Sequence, residues 1–198
     1  MMYRKTVGRL ATYGLLLLSI VACSDSEEVQ INVISANELN GTWVSSCVVN
    51  NDGNGEIDTY TIAGNTVRLQ NDTFISDTSC ITRAIALNTS GTYTTGDAVP
   101  QATGPAATEV NITLRSATVT YFGTNVINNA NINEVCGRAN WQEGVSQDVT
   151  TCLGLPTISY DIFRVDGNLL YVSDEDSGDS TAPESRPTRL DLANPLTR

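Results

Sequence analysis

The chain contains no histidine, its only lysine is Lys5, and its two methionines are Met1 and Met2. Beyond residue 5 there is neither an imidazole nor a side-chain amine. That removes the usual general base, the Schiff-base nucleophile and the commonest metal ligand. Ser-His-Asp hydrolysis and His-ligated zinc are excluded with them. Carboxylate pairs survive as machinery, but none stands out by spacing, so no enzyme and no cofactor is expected. Positive charge is scarce as well: 11 basic residues stand against 22 acidic ones, a net charge of −11. Nucleic acid and anionic lipid require basic patches, and neither is expected as a partner. No apolar run is long enough to span a bilayer. The stretch at residues 10–22 falls short of the roughly 20 residues that a ~30 Å hydrocarbon core requires.

What the chain does have is a leader. Arg4, Lys5 and Arg9 form a positive segment, residues 10–22 an apolar one, and Ile20-Val21-Ala22-Cys23 closes it. An aliphatic residue three before a cysteine, then small or aliphatic residues, reads as a bacterial lipobox. Residues 1–22 are expected to be a cleaved lipoprotein signal peptide rather than a spanning helix. Cys23 becomes the acylated (palmitate-type) first residue, and two or more acyl chains suffice for stable anchoring. Ser24 matches outer-membrane sorting, where an aspartate would have suggested inner-membrane retention. The expected location is the bacterial cell envelope, lipid-anchored at the outer membrane, with residues 23–38 as lipidated cysteine and tether. All 22 acidic residues lie beyond the leader and three of the 11 basic ones lie within it, leaving the mature part near −14.

Setting Cys23 aside leaves Cys47, Cys80, Cys136 and Cys152. An even number in an exported chain implies two disulfides, with three possible connectivities. Cys47–Cys80 with Cys136–Cys152 is favoured, because the first ties the opening strand to a later turn and the second closes an irregular excursion. No CxxC pair is present to support a thiolate zinc site.

Residues 39–198 read as one domain of short strands ending in a polar C-terminal tail. Residues 39–49 make a turn and a strand whose Trp43, Ser45, Cys47 and Val49 share a face by period-2 alternation. Residues 57–62 and 66–75 form a hairpin about Ala63-Gly64-Asn65. Residues 80–87 and 91–95 suggest another about Asn88-Thr89-Ser90, followed by a Gly/Pro/Ala-rich loop at 97–108. Strands at 109–114 and 117–122 precede a weak, Asn-rich helix at 125–133. Residues 157–165 and 168–173 pair across Asp166-Gly167, and 174–198 form the tail. Such a pattern suits a barrel or a sandwich. Consecutive hairpins favour the former: an all-β, antiparallel up-and-down barrel of eight or nine strands with one short helix.

Gly41-Thr42-Trp43 resembles the G-x-W signature of lipocalin-like (calycin-type) proteins. Ser76-Asp77-Thr78-Ser79-Cys80, Gly91-Thr92-Tyr93, residues 160–171 and Arg186-Pro187-Thr188 extend the likeness. Over residues 39–192 the chain resembles a proteobacterial family of lipocalin-like lipoproteins. The resemblance implies a barrel with Gly41, Trp43 and Arg186 as structural signature. In it the tryptophan closes one end, and an arginine from the last-strand region, Arg186 or Arg189, packs across its ring. These motifs are structural and name no activity.

Two segments carry candidate ligands for a cation. Asn50, Asp52, Asn54 and Asp58 stand at EF-hand-like spacing around Gly55, but position 12 is Thr61, so calcium is the weaker reading and a hairpin loop the simpler one. Asp174-Glu175-Asp176-Ser177-Gly178-Asp179 reads as a solvated acidic loop. Val67, Leu69, Ile112, Leu114, Val119 and Tyr121 are candidates for a barrel lining, either around a ligand or as packed core. The expected function is a membrane-anchored barrel binding or carrying a small apolar ligand. The alternative is a non-catalytic structural or protein-interaction lipoprotein with a filled core.

Overall fold

Alternating side chains and tight turns set up a run of hairpins. A computed structural model describes residues 34–152 and 158–198; the expected leader at residues 1–22, Cys23 and residues 24–33 lie outside them. The elements are α1 (Ala36–Leu39), β1 (Gly41–Val44), β2 (Val48–Val49), β3 (Gly55–Ala63), β4 (Thr66–Phe74), β5 (Ile85–Val99), β6 (Ala107–Tyr121), α2 (Thr124–Ile132), β7 (Gln147–Asp148), β8 (Ile158–Asp166), β9 (Leu169–Tyr171) and β10 (Leu196–Thr197). All pairings are antiparallel. They run from β1 to β3 and on through β4, β5, β6, β8 and β9 to β10, which returns to β1 at Val44↔Thr197. Eight strands thus close an up-and-down β-barrel. β2 continues the line of β1 along β3, and β7 adds to β6.

Four sequence expectations need correction. Residues 80–95 and 109–122 do not break into four strands, because β5 and β6 are 15 residues each. Asn88-Thr89-Ser90 is strand, and Ser90 hydroxyl meets Ser116 hydroxyl across the ladder at 2.8 Å. Trp43 and Val49 do not share a face. Trp43 is fully buried and Val49 is 48% exposed, since the strand is interrupted at residues 45–47. Residues 34–38 are not tether: Ile34 is buried and its N–H donates to Thr108 Oγ1 at 2.9 Å. Residues 174–198 are not a free tail, for Ser173 pairs with Leu190 and β10 completes the ring. Both expected disulfides form: Cys47–Cys80 staples the interruption after β1, and Cys136–Cys152 closes the excursion after α2.

The interior is apolar at one end. Leu39, Trp43, Ile62, Val67, Tyr93, Val110, Phe163, Leu170 and Leu196 pack there with Ile34 as one cluster. Trp43 Nε1 donates to the Leu39 carbonyl at 2.8 Å, which satisfies the indole inside the core. The expected cation lies over its ring, but it is Arg198 (4.4 Å), not Arg186 or Arg189. Arg198 also donates to the carbonyls of Asn40 and Gly167, knitting β1 to the β8–β9 turn. Gly41 makes this possible. Its φ is +142°, and a Cβ there would stand 3.0 Å from Arg198 Cδ. Arg198 arrives through the final strand, which is why the Arg-Pro-Thr run misled.

A second cluster covers the same sheet face further along. Between Ser90 and Gly91 the register on β6 skips Arg115, a bulge that turns Ala117, Val119 and Tyr121 onto the face of Ile85 and Leu87. α2 lies against this face through Ala130, Val126 and Ile127. Asn131 secures the Asn-rich helix by bonding both the N–H and the C=O of Trp141, whose ring meets Tyr121 edge-on at 4.8 Å. The outward residues of β3 and β4 include Thr59, Thr61, Arg68, Gln70 and Asp72. A lipid-facing wall would carry apolar side chains at these positions.

Candidate functional site

Opposite the Trp43 end the barrel is open. Its cavity, of about 1190 Å³, descends between β3, β4, β6, β8 and the loop at 174–191. The register explains its polarity. Along β3 the inward positions are Glu56, Asp58, Tyr60 and Ile62, changing from acidic to apolar on the way to the closed end. Their β4 partners are Thr73, Asn71, Leu69 and Val67. On β8 the same step runs from Ser159 and Asp161 to Phe163, opposite Ile112, Val110 and Thr108. The cavity therefore has an apolar floor of Tyr60, Leu69, Ile112, Val172 and Leu196 beneath a wall of carboxylates.

The wall is built by neutral partners. Asn50 Nδ2 donates to Glu56 Oε1 at 2.6 Å, and Asn71 Nδ2 donates to Asp58 Oδ1 at 2.9 Å. Ser45 and Asp58 exchange two bonds, Asp58 N–H to Ser45 Oγ and Ser45 N–H to the Asp58 carbonyl. Burial raises the Asp58 carboxyl above its ordinary value; Asn71 opposes this, and Glu56 and Asp72 add to it. Asp161 is raised for the same reason, against the hydroxyl and N–H of Ser173, the N–H of Ile162 and the charge of Arg186. At the rim the opposite holds. Ser185 and Thr181 bond Asp179 and hold it at about 2.

Arg186 is the single basic residue on this lining. Its guanidinium donates to the carbonyls of Asp161 (2.8 Å) and Val110 (3.2 Å) and to Asn111 Oδ1 (2.7 Å). Nε sits 3.5 Å from Glu109, and the group lies over Tyr160. Arg186 therefore fastens the 174–191 loop to the wall instead of covering Trp43. Arg189 pairs with Asp174 at 3.0 Å.

The calcium candidates make a hairpin. Asn50 Oδ1 accepts from the N–H groups of Asp52 and Asn54, an Asx-type turn between β2 and β3. Asn54 Oδ1 accepts from Ser76 N–H, and Asp58 belongs to the barrel wall. Among the described residues no three acidic or cysteine groups are placed to hold a metal ion. Of the six lining candidates, Leu69 and Ile112 reach the cavity. Val67 packs at the closed end, Val119 and Tyr121 under α2, and Leu114 joins no cluster. A smaller hollow of about 330 Å³ lies beside Tyr121 and α2.

Sequence reasoning missed Glu56, Ser159 and Asp161 as lining. Pairing residues 57–62 to 66–75 puts Asp58 on the face of Tyr60 and Leu69, but only closure of the ring turns that face inward. No family model matches the chain, and no curated protein is detectably similar to it.

Proposed function

We propose that this is a lipid-anchored protein of the bacterial envelope, held through Cys23 at the outer membrane, whose barrel binds a small molecule without catalysis. The observation that carries the reading is the open cavity of about 1190 Å³ beyond the packed Trp43 end of the barrel. Eight-stranded barrels are of the size that encloses one small ligand. A packed interior would have favoured the structural or interaction role instead.

The lining narrows the occupant. A wholly apolar ligand would strip the remaining water from Glu56 and Asp58 and leave each with a single neutral amide from Asn50 or Asn71 to offset its charge, which is costly. A molecule with both polar and apolar parts suits the carboxylate wall and the Tyr60–Leu69 floor. The anchor suits this as well. Ile34 enters at the Trp43 end, and the ten residues between it and Cys23 reach at most about 35 Å. A tether of that reach lets the mouth stay in water, from which the ligand arrives.

Native mass spectrometry of the protein purified from its own membranes should show an added mass that leaves on unfolding. Labelled palmitate should be incorporated, and Cys23→Ser should lose both the label and membrane fractionation. A cavity that stays empty and takes up no small-molecule probe would overturn the binding reading. A Cys23→Ser protein that still sediments with membranes would overturn the anchor.

A further inference from the structure

We propose that the cavity accommodates a linear organic polycation, a polyamine-class ligand whose ammonium groups meet the carboxylate wall and whose methylenes lie on the apolar floor. This rests on the binding reading above and assigns it a ligand class.

Three observations carry it. The cavity is lined by eight acidic residues and one basic one: Glu56, Asp58 and Asp161 in the wall, Asp174, Asp176, Asp179, Glu184 and Asp191 towards the rim, with Arg186 alone opposite them. That arginine is already engaged by Glu109, Asn111 and two backbone carbonyls. The three ion pairs of the described residues are Arg83–Asp72, Arg186–Glu109 and Arg189–Asp174; none of them reaches Glu56 or Asp58, while Asp161 feels the charge of Arg186. The side chains that bond Glu56 and Asp58 are the amides of Asn50 and Asn71, which fix the carboxylates without neutralising them.

Second, the carboxylates are distributed and do not converge. No three of them among the described residues form a cage for a metal ion. Spread-out negative charge along a cavity matches a chain of separated cations better than a single ion. Third, Tyr60, Leu69, Ile112, Val172 and Leu196 lie on the same lining. They offer apolar contact to the methylenes that separate amines, contact that a hydrated inorganic cation would not use.

The test is calorimetric titration of spermidine into the full acylated protein in detergent. It is run at about 150 mM NaCl, where exposed charges more than ~8 Å apart are largely screened. Glu56→Gln combined with Asp58→Asn removes two wall charges. Asp97→Asn combined with Asp166→Asn removes two exposed charges outside the cavity and serves as control. One spermidine should bind per chain. The wall variant should bind about tenfold more weakly or worse, and the control within about twofold of the parent. Retained circular dichroism and a cooperative melt show that the wall variant is folded. Equal losses in the two variants would mean diffuse attraction to net charge and would overturn the proposal. Absence of spermidine binding with saturable dodecanoate binding would overturn the cation and leave the binding barrel standing. Absence of both would sink the binding barrel too.

Discussion

The guanidinium of Arg198 does three things at once: it caps the Trp43 ring, binds the Asn40 carbonyl and binds the Gly167 carbonyl. Arg198→Ala should therefore cost about 1–3 kcal/mol, from a cation–π contact and charge-assisted bonds. Arg198→Lys should recover only part of that, because an ammonium lacks the planar fork. Trp43→Ala should cost about 3–5 kcal/mol. Urea unfolding of the three variants checks both the size and the order of these losses. The sequence announced Trp43 and Gly41 but not their arginine, since local motifs carry no information on which distant residue returns to them. Asp58 gives the opposite kind of prediction. Its pKa is raised in the fold by burial and by Glu56 and Asp72, so the native state binds its proton more readily than the unfolded one. Stability falls as pH rises from the ordinary aspartate range through the raised value, and stays lower above it. Asp58→Asn, which retains an oxygen for Asn71 to donate to, should raise Tm at pH 7, with the gain vanishing in acid. A parent and variant that differ equally at all pH values would contradict this.

At the scale of elements, the long β5–β6 hairpin depends on one extra residue. With Arg115 in place, Val110 and Ile112 face the barrel core, and Val119 and Tyr121 face α2. Deleting Arg115 would put β6 out of phase by one, turning one of these sets outward. The expected result is loss of the near-UV circular dichroism of the Tyr121–Trp141 pair, with β content largely retained. Gly91 beside the bulge is similarly constrained, because a Cβ would collide with the Thr113 carbonyl. Gly91→Ala should cost about 1–3 kcal/mol as an overpacking change, read by thermal melting. Hairpins with strong turn signals, at Gly64-Asn65 and Asp166-Gly167, were legible in the sequence. The β5–β6 ladder was not, because Asn88, Ser90 and Ser116 are turn-type residues inside strands. Tertiary pairing on both sides overrides that local preference.

Over the whole molecule, the barrel was readable from the succession of hairpins, and both disulfides from the placement of the four cysteines beyond Cys23. The polarity of the cavity was not, because alternation says that two faces differ without saying which turns inward. Glu56 and Asp58 look like surface residues until the ring closes. Their half-buried carboxylates sit within an excess of negative charge, 22 acidic residues against 11 basic ones. Mutual repulsion of that size destabilises the compact state, and added salt screens it. Tm should rise with NaCl from low ionic strength, and more steeply than for Glu56→Gln/Asp58→Asn. A flat salt dependence would show that these charges are compensated.

The seam where β10 meets β1 sets an order of assembly. Thr197 Oγ1 donates to the carbonyl of Val44 across 153 residues of chain, whereas the hairpin joining β3 and β4 turns at Gly64-Asn65. Closing the ring over that separation costs more loop entropy than the local hairpins do, so the strand that covers the edge of β1 pairs last. Until then the nascent sheet is an open ribbon with an unsatisfied border, able to pair with any other extended segment. The risk of misassembly is thus concentrated in time rather than in place, and it ends when the ring locks.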